Sequence, residues 1–224
     1  MDPFLLRLYQ RYVAAQCFAA ILASETAFNA LNPPSSPAVD PGGAPLVGPD
    51  RDPVRDPARD PARDPAAQPP ARVPPHQDVF WASVQNCISA AANISKACWG
   101  EDGIHRKKRK PLRRSLGLKK DSPLKPTALT DNFAHVDEWI DEWFATTTSR
   151  SHVDRFIGPL AMIAGVADED MFRVFDTTAA EVVLWGQRFP LKSLMDEITK
   201  LYPVAKAQGD KPQWDLLDDP GTDS

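Results

Sequence analysis

Apolar positions recur with a helical period from Phe4 to Leu31, where Phe4, Leu5, Leu8, Tyr12, Ala15, Ala19 and Leu22 trace one stripe. Asp2-Pro3 places a capping carboxylate before a proline at the first helical position. Asn32-Pro33-Pro34 ends the run, because proline cannot continue a helix and restricts the residue before it. A second helix is predicted from its cap at Asp78 to a stop at Gly100, with Phe80, Val84, Cys87, Ala91, Ile94 and Cys98 buried. Its small residues from Ser89 to Ile94 leave room for another helix to come close. A third helix opens near Leu129. It turns Leu129, Phe133, Val136, Ile140 and Trp143 to a core and carries Asp131, His135, Glu138 and Glu142 on a polar stripe.

After a polar break from Thr146 to Ser151 the period changes. Phe156 to Leu160 reads as a short apolar connection. Phe172-Arg173-Val174-Phe175 and Val182-Val183-Leu184-Trp185 read as two strands, with turn chemistry at Asp176-Thr177-Thr178 and a second turn at Gly186-Gln187. Leu191 to Tyr202 closes the chain as an amphipathic helix with Leu194, Ile198 and Leu201 on one face. The pattern predicts a mainly α fold, a helical bundle with a small C-terminal β-hairpin.

Composition adds a long insertion. Fourteen of the 23 prolines lie between Asn32 and Pro75, and Arg-Asp-Pro recurs every four residues from Arg51 to Ala66. Its charges cancel and it has no large apolar residues, so extended, polyproline-like disorder is the expectation. The chain therefore divides into an N-terminal helix of the bundle (1–31), a disordered Pro-rich repeat linker (32–77), a helical core with its hairpin (78–205) and a flexible tail (206–224). Cys17, Cys87 and Cys98 show no metal or disulfide spacing and read as small buried residues of a reducing, cytoplasmic compartment. No stretch is long and apolar enough to span a bilayer, and Asp2, Arg7 and Arg11 argue against a secretory leader, so no membrane partner is expected.

Charge changes the picture most. Arg106, Lys107, Lys108, Arg109, Lys110, Arg113, Arg114, Lys119 and Lys120 fall in one stretch without an acid. Removing these nine from the 26 basic residues leaves 17 against 30 acidic ones, a remainder near −13. A basic segment on an acidic protein points to RNA or another polyanion, or to the protein's own acidic surface. The segment lacks the interleaved aromatics that stack single-stranded bases. Pro111 and Gly117 make it a loop or short broken helix. Elsewhere, His135 one turn from Asp131 is a candidate acid–base pair, since histidine titrates near neutral pH. The repeated Asp-Glu-Trp of 137–139 and 141–143 lacks a second histidine at ligand spacing, so no metal is expected. No nucleotide-binding, hydrolase-elbow or zincin motif occurs, and no cofactor is implied.

The helical context, with Thr130-Asp131-Asn132-Phe133-Ala134-His135 on a late helix, resembles the HEPN superfamily of small α-helical bundles over residues 79–145. That family's hallmark is an arginine, a polar residue and, a few positions on, a histidine; Asp131 and His135 match the last two. The resemblance implies a homodimer with the His135 helices facing each other. In active members it implies metal-independent RNA cleavage, with the histidine activating the ribose 2′-hydroxyl and the arginine steadying the transition state. Here Thr130 stands at the arginine position. A threonine offers one neutral hydrogen bond and no bidentate, charge-assisted fork to phosphate. Arg113, Arg114 or Lys125 would have to replace it. The expectation is thus a HEPN-like but non-catalytic interaction or nucleic-acid-associated module, the alternative being an endoribonuclease, as a toxin or defence component, using His135.

Overall fold

The computed structural model describes residues 1–32, 75–100, 103–125, 136–148 and 150–212. Three long helices carry the fold: α1 (Pro3–Leu31), α2 (Pro75–Trp99) and α6 (Leu191–Gly209). Between α2 and α6 come the short helices α3 (Gly103–Lys108), α4 (Lys110–Ser115) and α5 (Val136–Thr146). The strands β1 (Phe156–Gly158), β2 (Arg173–Asp176), β3 (Glu181–Leu184) and β4 (Gln187–Phe189) follow. The chain is mainly helical with a small sheet near its C-terminus. Nearly all of the predicted Arg-Asp-Pro linker lies outside the described residues, as does the end of the predicted tail.

Sequence capping places α1 where expected: Asp2 Oδ1 accepts from the Leu5 amide at 3.0 Å, with proline following. The helix then runs antiparallel to α6. Arg7 Nη1 donates to Lys211 O at 2.5 Å, Arg11 Nε donates to Gly209 O at 2.8 Å, and Phe18 lies 6.1 Å from Tyr202, ring to ring. On the α2 side Asn93 Nδ2 donates to Gln16 Oε1 at 3.2 Å. The surface that α1 buries is not the stripe of large residues. It is Val13, Cys17, Ala20, Ala23 and Ala27, with Arg7 and Gln10 at its start. Phe4, Leu5, Leu8, Tyr12 and Leu22 face outward, and Phe18 with them.

A helix that is apolar on two sides satisfies the periodicity test twice, and packing distance decides between them. The partner surfaces are themselves lined with small residues: Cys87, Ala90, Ala91, Ala97 and Cys98 on α2, Ala205 and Gly209 on α6. At Gly209 a Cβ would stand 3.0 Å from Arg11 Cγ and 3.2 Å from its backbone nitrogen. Facing small residues let the backbones approach, and a phenylalanine on that side would hold them apart. The α2 stripe is buried as its spacing predicts. Helix α6 continues past Tyr202 and through Pro203, because Leu201, Ala205 and Gly209 extend its buried face.

The predicted hairpin is the middle of a four-stranded sheet in the order β1-β2-β3-β4. Strand β3 pairs antiparallel with β2 (Val174↔Val183) and with β4 (Val183↔Arg188). Phe156–Gly158, expected to be a connection, pairs parallel with β2 (Ile157↔Phe175). A parallel neighbour needs a crossover, supplied here by two 3-10 turns at Leu160–Ile163 and Asp168–Asp170. Phe175, Val182, Leu184 and Phe189 face the bundle, while Val174 and Val183 meet Met171 on the other side. The last turn falls on Trp185-Gly186, one residue before its predicted place. Their φ angles of 51° and 75° are the left-handed pair that a two-residue type I′ turn requires.

Helix α5 departs furthest from expectation. None of its residues is buried; Val136 and Ile140 are exposed and Trp143 is half-buried. The predicted continuation of this helix back to Leu129 lies outside the described residues.

All three cysteines are free and buried, as their spacing suggested, and burial pushes each thiol from 9.0 up to about 12. Between those values the unfolded chain loses protons that the folded chain keeps. Stability should therefore fall as pH rises from about 9 to 12, by about 1.4 kcal/mol per pH unit for each thiol. Urea unfolding across that range checks the slope, and a thiol-reactive dye at pH 8 should label the unfolded chain but not the native one. Prompt native labelling would contradict this account.

Candidate functional site

The basic segment folds as two short helices braced against the bundle. Gly100, at φ 69°, ends α2; Arg109 breaks the path between α3 and α4; and Pro111 stands in the first turn of α4. Gly117, at φ 68°, ends α4 with the paired bonds of a Schellman motif. Its amide donates to Arg114 O at 3.1 Å, and the Leu118 amide donates to Arg113 O at 2.9 Å. Leu112, Leu116 and Leu124 are buried beneath the segment.

Two of the nine cations belong to that foundation. Arg113 Nη1 donates to Cys98 O at 2.6 Å, and its Nη2 donates to Arg106 O at 2.9 Å. Its guanidinium stands 5.9 Å from the Trp99 ring, and partial burial lowers its pKa from the ordinary value. Arg109 stacks 3.7 Å over the Tyr9 ring. Beside it, Gln10 Nε2 donates to Ser115 Oγ at 2.9 Å and ties α4 to α1. Arg106, Lys107, Lys108, Lys110, Arg114, Lys119 and Lys120 are exposed. The sequence signalled the charge but not this division, which depends on which carbonyls α2 leaves open at its end.

The run continues into a cavity of about 550 Å³ at the start of α6, lined by Lys120, Ser122, Lys125, Gln187, Arg188 and Phe189 among others. Arg188 Nη2 donates to Asp168 Oδ1 at 3.0 Å. Asp121 also borders this space, so its lining is basic without being purely cationic.

A second cavity of about 550 Å³ lies between α5 and the sheet. Its wall is an aromatic cluster that the sequence did not announce. His152 stacks on Phe172 at 4.6 Å, Phe172 lies 4.3 Å from Trp185, and Trp143 meets Phe172 edge-on at 4.9 Å. Trp139 lies 6.4 Å from Trp185, and Trp143 Nε1 donates to Asp170 Oδ1 at 2.9 Å. Of the two tryptophans of the Asp-Glu-Trp repeat, Trp143 lines this cavity and Trp139 packs against Trp185, while Asp137, Glu138, Asp141 and Glu142 are exposed. Arg173 and Asp154 close one edge with a two-point pair at 2.6 and 2.5 Å. That pair raises the Arg173 pKa.

Asp131 and His135, the candidate catalytic pair, lie outside the described residues together with Thr130, and α5 begins at Val136. Among the described residues no group of three or more His, Cys, Asp or Glu is placed to hold a metal ion, and no helix is long and apolar enough to cross a membrane. Compared with models of protein families, with curated proteins and with solved structures, the chain has no significant match.

The bracing role of Arg113 is testable. Arg113→Ala leaves the Cys98 carbonyl without its charged donor, at a cost of about 1.5–3 kcal/mol. Arg114→Ala, one residue on and exposed, should change stability by less than about 0.5 kcal/mol. Chemical denaturation of the two variants checks the contrast, and equal losses would remove the distinction.

Proposed function

We propose that this chain is a non-catalytic interaction module that holds a polyanion, RNA in the first instance, against its basic face. The observation that carries this reading is that Arg109 and Arg113 fasten the segment to α1 and α2 while seven neighbouring cations stay exposed. A flexible basic tail would have to be ordered on binding; a braced platform has already met that entropic cost. The cavity lined by Lys120, Lys125 and Arg188 extends the same charge to the start of α6. Without stacking aromatics along the segment, contact would fall on phosphates rather than bases, giving affinity without sequence preference. HEPN-like kinship belongs to the same reading and rests on the Thr130–His135 pattern.

The test is a titration of the full chain with single-stranded RNA and duplex DNA at several salt concentrations. Binding should weaken steeply with salt, each RNA phosphate contact adding about 0.7 to the slope of log K against log salt. The triple variant Lys107→Ala, Lys108→Ala, Lys110→Ala should lower that slope by about 2 with an unchanged melting temperature. Salt-insensitive or absent binding would refute the proposal. Metal-free RNA cleavage that is lost in His135→Ala would replace it with the endoribonuclease reading.

A further inference from the structure

The outer face of α1 is apolar. Phe4, Leu5, Leu8, Tyr12, Phe18 and Leu22 are all large and all exposed; Phe4, Phe18 and Leu22 are 51%, 54% and 53% accessible. At 3.6 residues per turn they form one broad stripe over five turns of helix, with Phe18 at its edge beside Tyr202 of α6. Exposing about half of six side chains of roughly 200 Å² each presents on the order of 600 Å² of apolar surface. That is the upper limit for the largest patch on an ordinary monomer, and such patches mark interfaces.

We propose that this face pairs with the same face of a second copy, the two α1 helices running antiparallel about Ala15. The pairing would bury about 1,200 Å² in total, the size at which stable protein–protein interfaces begin. An isologous contact requires a self-complementary surface, and the stripe supplies one. With Ala15 on the two-fold axis, Leu8 meets the second copy's Leu22, Tyr12 meets its Phe18, and Phe4 meets its Thr26. The small Ala15 and Ala19 at the centre allow close approach, with larger residues on either side, which is how α1 already packs against its own bundle. A lipid surface is disfavoured, because membrane-surface helices flank their apolar face with available cations. Here the flanking Arg7 and Arg11 already donate to Lys211 O and Gly209 O. Helix α5 offers a smaller alternative, since only Val136, Ile140 and Phe144 are exposed on it and the first two line the aromatic cavity. The inference is independent of polyanion binding.

Sedimentation equilibrium of the full chain at rising concentration should show a monomer–dimer transition. Leu8→Glu and Leu22→Glu should each raise the dimer dissociation constant at least tenfold with unchanged circular dichroism and melting, since both side chains are exposed. Ala15→Cys should form a disulfide-linked dimer on mild oxidation, because the native cysteines are buried and the new one sits on the axis. A monomer at every concentration would overturn the proposal. So would a dimer indifferent to both glutamates, or a failure of the Ala15→Cys variant to cross-link. Co-sedimentation with anionic vesicles that both glutamates abolish, from a monomeric protein, would assign the face to a lipid surface instead.

Discussion

Close approach of three helices over small side chains is the constraint from which the rest of this structure follows. Cys17, Ala20, Ala23 and Ala27 of α1 share one buried cluster with Cys87, Ala90, Ala91 and Cys98 of α2, and Gly209 of α6 leaves its position open beside Arg11. Dispersion is gained over many short contacts rather than through a few large side chains, so each position tolerates little added volume. The same constraint expels the large residues of α1. A helix that buries its alanines must show its phenylalanines and leucines, unless something beyond the bundle covers them.

That choice was invisible to pattern reading for a physical reason. Periodicity reports that a stripe exists, and size ranks stripes by the burial they would provide, which selects Phe4, Leu8 and Leu22. Interhelical distance ranks them the other way, and distance depends on the partner helix. On α2 and α6 the rankings agree, so Phe80, Val84, Ile94, Leu194 and Ile198 were legible from spacing alone. The strands were legible for the same reason: Val174 and Val183 alternate with Phe175 and Val182, and two-fold alternation has one solution. The parallel partner Phe156–Gly158 was not, because its three residues carry no alternation and its pairing depends on a crossover. The turn moved by one residue because the sheet register required two left-handed positions, and Trp185 accepted one of them beside glycine. A bulky residue in that region is strained and is held there by ladder bonds, the Trp185 amide donating to Phe172 O at 2.9 Å.

The candidate site was legible in charge and illegible in division of labour. Nine cations in one stretch are plain in the sequence, yet nothing in the one-dimensional pattern separates Arg113 from Arg114. The difference arises because Arg113 falls under the exposed carbonyl end of α2 while Arg114 falls outside it. Arginine suits this bracing role, since its planar fork reaches Cys98 O and Arg106 O together, a geometry lysine cannot supply.

The basic platform and the apolar stripe share helix α1. The basic platform is attached to α1 through Tyr9 and Gln10, which lie on the bundle side of the helix. The apolar stripe runs beside it: Leu5 and Tyr12 neighbour Tyr9 on the helix surface, whereas Phe4, Ala15 and Leu22 turn away from it. A second copy seated on that stripe would centre its contact on Ala15, on the side of α1 turned away from Tyr9. Its antiparallel orientation would set the two platforms at opposite ends of the paired helices, since Tyr9 and Gln10 belong to the first third of α1. The distance between platforms is then fixed by α1 rather than by any flexible segment. Two braced cationic faces at a fixed separation would engage a long polyanion with higher effective concentration than either face alone, and would favour a strand long enough to span both. Small residues in the core turn the apolar stripe outward, and in the proposed pair that stripe would set how the charged faces are spaced.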